Sequence, residues 1–273
     1  MQRLSHALSS LSSDESGHYY QGSFIFLLQD SRSAKFYPHL KGGTNTATQL
    51  SRLETNYLLL YMDLVSLVTI CFRLKWQQNL WAQNQMTDDL WRLFVSLDID
   101  VFFSKYRSIF DHVARIISMI SPKPGQSPMS FNNLKNTWVA KPNNQSMLGS
   151  DLSKFVRSCD WFDLPASIRD LITHNGAETV PSYEDKRRIL FRVYHKDEMK
   201  VYSPEFGIVG GRFMDFEIFA GLYVGYLIAY LEELSTIIYR KLASHDIDLD
   251  AKDYHPGYKI LKEWISSVTS LAP

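Results

Sequence analysis

Only two cysteines occur in the 273 residues, and neither stands in a pattern that a disulfide framework or a zinc site requires. Cys71 lies in an apolar helical stripe, and Cys159 follows Arg157 and Ser158 directly. A charge excess is also missing. Lysine plus arginine equals aspartate plus glutamate at 29 each. Nucleic-acid binders draw much of their affinity from a basic surplus, so any such site here must be local. Long apolar runs are scarce too. The longest, Ile218 to Leu231, falls short of the roughly 18 to 20 residues that a membrane span needs. The serine-rich start, Met1 to Gly17, lacks the continuous apolar core of a signal peptide. The expectation is a cytoplasmic protein with no membrane segment.

Several chemistries lack their residues as well. There is no glycine-rich phosphate loop, no nucleophile-elbow serine and no histidine pair at metal spacing. Asp246, Asp248 and Asp250 imitate the opening of a calcium loop. Ala251 stands where that loop needs glycine, however, and Gly257 where it needs a bidentate glutamate. No metal or other cofactor is expected.

What is abundant is apolar and aromatic: 45% hydrophobic residues, with 16 Phe, 15 Tyr and 6 Trp, enough for a sizeable core. Residues 1–44 read as an N-terminal extension in which Gly22 to Leu28 is a short strand or an apolar segment lying on the body. The pattern then turns helical. Leu53, Tyr57, Leu60, Leu64, Leu67, Cys71 and Leu74 recur at four and three, one face of a long helix. Asp88 and Asp89 open a second, whose stripe is Ile99, Phe102, Tyr106, Ile109, Val113, Ile116 and Ile120. Residues 121–149, rich in proline, asparagine and serine, read as a long loop with a helical turn near Phe131 to Trp138. Short helices follow at about 150–159 and from Pro165 to Asn175-Gly176. Arg188 to Tyr194 and Met199 to Tyr202 read as two strands around a turn at Lys196 to Glu198. A third long helix runs from Phe213 to about Leu242, and a last one from Tyr258 to Val268. The fold class is all-α: a multi-helix bundle in one domain over 45–273, with a small β-hairpin insertion at about 184–207.

Two charged or aromatic patterns on these helices have ordinary explanations. Asp100 and Arg107 interrupt an apolar stripe, and burial of an unpaired charge is costly, so Arg107 is expected to pair with Asp100 or Asp111. Support of a neighbouring site by Arg107 is the functional alternative. Tyr223, Tyr226 and Tyr230 share a face; such a stripe stacks on nucleobases in some proteins and belongs to the core in most.

The segment that carries chemistry is Arg169-Asp170-Leu171-Ile172-Thr173-His174, closed by Asn175-Gly176. Asp170 and His174 are four apart and share a helix face, where a carboxylate orients an imidazole and holds its tautomer. Arg169 is about 140° around an ideal helix from His174, so the two meet only where the helix ends, or across two protomers. A guanidinium binds phosphate oxygens in a forked geometry. An imidazole takes a proton from a ribose 2′-hydroxyl or returns one to the leaving oxygen, and no metal is needed.

Arginine, a polar residue, three residues and histidine near the end of a bundle helix resembles the motif of the HEPN superfamily. That family includes metal-independent ribonucleases of toxin, phage-defence and RNA-processing systems, usually dimers whose two motifs face each other. The resemblance implies that Arg169 and His174 are the catalytic pair and Asp170 the adjoining polar position, commonly asparagine in the family. It also implies RNA as partner and a homodimer. The bland reading makes Arg169 and Asp170 surface charges and His174 a cap at a helix C-terminus. The rival function is a non-catalytic helical module that binds a partner protein through the aromatic extension and the β insertion.

Overall fold

The computed structural model describes residues 46–120, 128, 130–182, 188–194, 208–209 and 213–243. The extension over 1–44, the strand expected at Met199 to Tyr202 and the helix expected at Tyr258 to Val268 lie outside them. The chain is mostly α-helical with a small antiparallel sheet, as the sequence periodicities predict.

Helix α1 spans Thr46–Ala82 and α2 spans Asp88–Ile120. Asp88 and Asp89 sit in the first turn of α2, where their charge favours the positive end of the helix dipole. A short turn, Phe131–Asn133, is capped by the Ser130 side chain and continues as a π-helix, Leu134–Trp138. Helices α3 (Pro142–Leu148) and α4 (Ser150–Arg157) meet at Gly149, whose φ of 89° no L side chain adopts without strain. Helix α5 is Asp163–His174 and α6 is Phe216–Ala243. The segment Pro142–Leu148 corrects the reading of 121–149 as loop. Its proline looked like a breaker but occupies the first helical turn, where a missing N–H costs nothing.

The sheet has strands β1 (Glu178–Ser182), β2 (Leu190–Tyr194), β3 (Ile208–Val209) and β4 (Phe213–Asp215), in the order β1-β2-β4-β3. Strand β2 is the first expected strand. Its partner β1 was missed because Pro181 discourages a strand reading; β1 is an edge strand, where proline is tolerated. The third long helix begins three residues later than its periodicity suggests. Asp215 ends β4 and caps α6, accepting from the backbone N–H of Glu217 at 3.0 Å and of Ile218 at 3.2 Å.

The described residues fall into two compact units. One contains 63–108 and 161–224. Its core is aromatic: Phe102, Phe103, Phe191, Phe216 and Phe219 meet edge-to-face, and Trp81 stacks on Trp91 at 4.3 Å. The antiparallel setting of α1 and α2 here is held by polar bonds, Arg73 to Asp98, Gln77 to Asp98 at 2.8 Å, and Lys105 to Asp63 at 2.6 Å. The second unit contains 109–160 with parts of α1 and α6. Tyr230 stacks on Phe155 at 3.9 Å beside Phe110 and Phe131, and Asp111 accepts from the Phe131 N–H at 2.9 Å. Tyr223 and Tyr230 are thus core residues and offer no face to bases.

One described helix, Thr55–Ala82 of α1, is long and apolar enough to cross a membrane. The same stretch buries Tyr57, Leu60, Leu64, Leu67 and Leu74 in the protein and bonds to α2 through Asp63, Arg73 and Gln77. Leu58, Leu59, Met62 and Trp76 of the same stretch are exposed.

Candidate functional site

Helix α5 owes its register to Pro165, Ala166 and Ile168, which are buried, while the turn that follows them faces outward. It stops at His174 because Gly176 takes a φ of 64°, left-handed backbone that glycine enters freely. The Leu171 carbonyl then accepts from the N–H groups of both Asn175 and Ala177, each at 3.1 Å, closing the end.

This termination brings the arginine and histidine together. Arg169 Nη1 lies 3.2 Å from His174 Nε2 and donates to Asp170 Oδ1 at 2.9 Å. Arg169 has only N–H donors, so a hydrogen bond forms between the two when Nε2 is the acceptor. Asp170 departs from its expected role. Its carboxylate holds the guanidinium and makes no bond to the ring four residues on. Both bonds of Arg169 leave from Nη1; among the described residues Nη2 makes none, and Nε is buried without an acceptor. His174 is exposed, and the Arg169 and Asp170 side chains are 27% and 45% exposed. The group can therefore be reached from solvent by a ligand that accepts hydrogen bonds.

Just past this helix end, Thr179 meets α2. Its hydroxyl lies 2.7 Å from Asp100 Oδ1, 3.1 Å from the Ser96 carbonyl and 3.0 Å from Ser96 Oγ. Of the two partners expected for Arg107, Asp100 is not one: its carboxylate bonds to Thr179. The Arg107 guanidinium carbon lies 5.0 Å over the Phe162 ring, at the opposite end of α5 from His174. Burial pushes the Asp100 carboxyl up to about 6, aided by nearby Glu178 and opposed by the Thr179 bond. One hydroxyl proton cannot serve both Asp100 and Ser96. A protonated Asp100 donates to Thr179 Oγ and frees the threonine proton for the Ser96 carbonyl.

The stability consequence has a definite sign. The folded value lies above the unfolded one, so no penalty exists below pH 4, and the penalty grows as pH rises to about 6. Asp100→Asn is expected to stabilise the protein by about 1–2 kcal/mol at pH 7.5 and to leave pH 4 stability unchanged. Urea unfolding at the two pH values measures it; an equal shift at both would sink the account.

Among the described residues, no three of His, Cys, Asp and Glu converge as a metal-ligand set. Desolvation pushes the Cys71 thiol up to about 12, which leaves it protonated and a poor nucleophile at neutral pH. Sequence reasoning missed the Thr179–Asp100–Ser96 cluster, whose members lie up to 83 residues apart. No protein-family model, no curated protein and no solved structure matches this chain.

Proposed function

We propose that the chain is a HEPN-like, metal-independent ribonuclease or RNA-binding protein of a defence or toxin-type system, acting in the cytoplasm as a homodimer. The observation that carries this reading is the 3.2 Å approach of Arg169 Nη1 to His174 Nε2 at an exposed helix end, with Asp170 steadying the guanidinium. The pair holds the two functions that cleavage next to a 2′-hydroxyl demands.

In the proposed reaction a phosphate oxygen takes the donors of Arg169, Nη2 first, since among the described residues it has no other bond. Freed from the guanidinium, the His174 Nε2 lone pair accepts the 2′-hydroxyl proton. The 2′-oxygen bonds to phosphorus, and the bond from phosphorus to the 5′-oxygen breaks. The leaving oxygen collects a proton from water or from the histidine of a second copy. The products are a 2′,3′-cyclic phosphate and a 5′-hydroxyl, with atoms and charge conserved.

The test is full-length protein incubated with single-stranded RNA in EDTA. Fragments ending in cyclic phosphate, absent with Arg169→Ala, are the expected result. Cleavage that needs a divalent ion, or that persists undiminished in Arg169→Ala, would reject the proposal. If RNA is neither cut nor retained by the wild-type protein, the non-catalytic interaction module replaces it.

A further inference from the structure

Helix α2 is apolar on two sides. Trp91, Val95, Ile99, Phe102 and Tyr106 are buried. Leu90, Phe94, Leu97 and Val101 lie within about 60° of one another on the far side, at 100° per residue. They are 44%, 40%, 52% and 39% exposed, and Leu93 beside them is 55% exposed. The bonds of Arg73 to Asp98 and of Trp81 to Asp88 set α1 antiparallel to α2, which brings Trp76 about level with Phe94. Trp76 is 58% exposed and stands three residues from Arg73, the half-exposed partner of the buried Asp98. These six side chains carry no charge.

We infer that this face of α2 is the surface through which two copies of the chain associate, antiparallel about a two-fold axis near Val95 and Ser96. Two observations favour a second copy over another occupant. About that axis Leu90 meets the other copy's Val101-bearing turn and Phe94 its Leu97-bearing turn, each reciprocated. The first observation is area. Six large side chains about half exposed present roughly 500 Å² of apolar surface, counting about 150–200 Å² for each when fully exposed. A standard interface takes about 800 Å² from each partner, of which a little over half is apolar.

The second observation is position. Ser96 and Asp100 lie along one edge of the stripe and hold Thr179, five residues after His174. Pairing across α2 thus places the chain leaving one motif beside the interface of both copies. The inference shares with the proposed function only the partnership of two copies. Its test reads mass rather than cleavage, so either can fail alone.

Sedimentation velocity of the full chain at micromolar concentration is expected to show twice the mass of one chain. Leu93→Glu combined with Leu97→Glu is expected to raise the dimer dissociation constant by about 100-fold, with the circular dichroism of the wild type, since both positions face solvent in the single chain. Leu97→Cys is expected to form a disulfide-linked dimer on mild oxidation. Wild-type protein and Ser167→Cys, at an exposed position of α5, are expected not to. A wild-type chain that stays monomeric at tens of micromolar overturns the inference. So does a dimer that survives both glutamates, or equal cross-linking of Ser167→Cys.

Discussion

His174→Ala is expected to slow RNA cleavage by roughly 10²–10⁴-fold, the usual contribution of a positioned acid–base group. The ring is exposed and its one polar contact among the described residues is to Arg169, so its loss leaves no buried group there unpaired. The melting temperature of the variant is therefore expected to match the wild type. Asp170→Asn separates steadying from charge. An asparagine Oδ1 still accepts from Arg169 Nη1, so this variant is expected to keep cleavage within about tenfold, whereas Asp170→Ala frees the guanidinium and loses more. Arg169→Lys keeps the charge but not the fork, and falls near Arg169→Ala if two phosphate oxygens are gripped together. The measurement is single-turnover cleavage of a labelled RNA with EDTA present. Retention of wild-type rates in His174→Ala would remove the imidazole from the reaction. A parallel loss of melting temperature would make its role structural.

Phe103→Ala carries the largest expected effect on stability, a loss of about 3–5 kcal/mol. Its ring is fully buried between Phe102 and Phe219, edge-to-face at 5.6 and 5.5 Å, and it lies 6.1 Å from Phe191 on β2. One side chain thus joins α2, α6 and the sheet inside one unit. Neighbouring rings on three separate elements cannot all move in to fill the void, so the cavity cost adds to the lost transfer energy. Against a usual total of about 5–15 kcal/mol, this is a large fraction. Phe103→Leu, which keeps most of the volume, is expected to cost about 1–2 kcal/mol. Urea denaturation with an unchanged slope checks both, and a loss below 1 kcal/mol for alanine would mean that the cluster does not tie these elements together.

Helix periodicity is a local property, and the long helices α1, α2 and α6 were legible for that reason. Burial of one face repeats every three or four residues whatever the rest of the chain does. The end of α5 was legible too, since Gly176 stops a helix through its own backbone freedom. That local stop was the condition for Arg169 to meet His174, and the two do meet. Strand β1 was not legible, because an edge strand containing Pro181 exists only by pairing with β2. The helix over Pro142–Leu148 was hidden by a proline whose meaning depends on whether a helix follows it.

Composition and spacing alone determined that this chain is mostly helical, and that one cation and one imidazole stand at a helix terminus. Tertiary structure decided where each polar group spends its bonds. Asp170 turned to Arg169, and Asp100 to Thr179 rather than Arg107. It also decided which apolar stripe of α2 faces inward and which faces water. The physical reason is range. A backbone preference is settled within a few residues, whereas a hydrogen bond or a buried face needs a partner that folding brings from far along the chain.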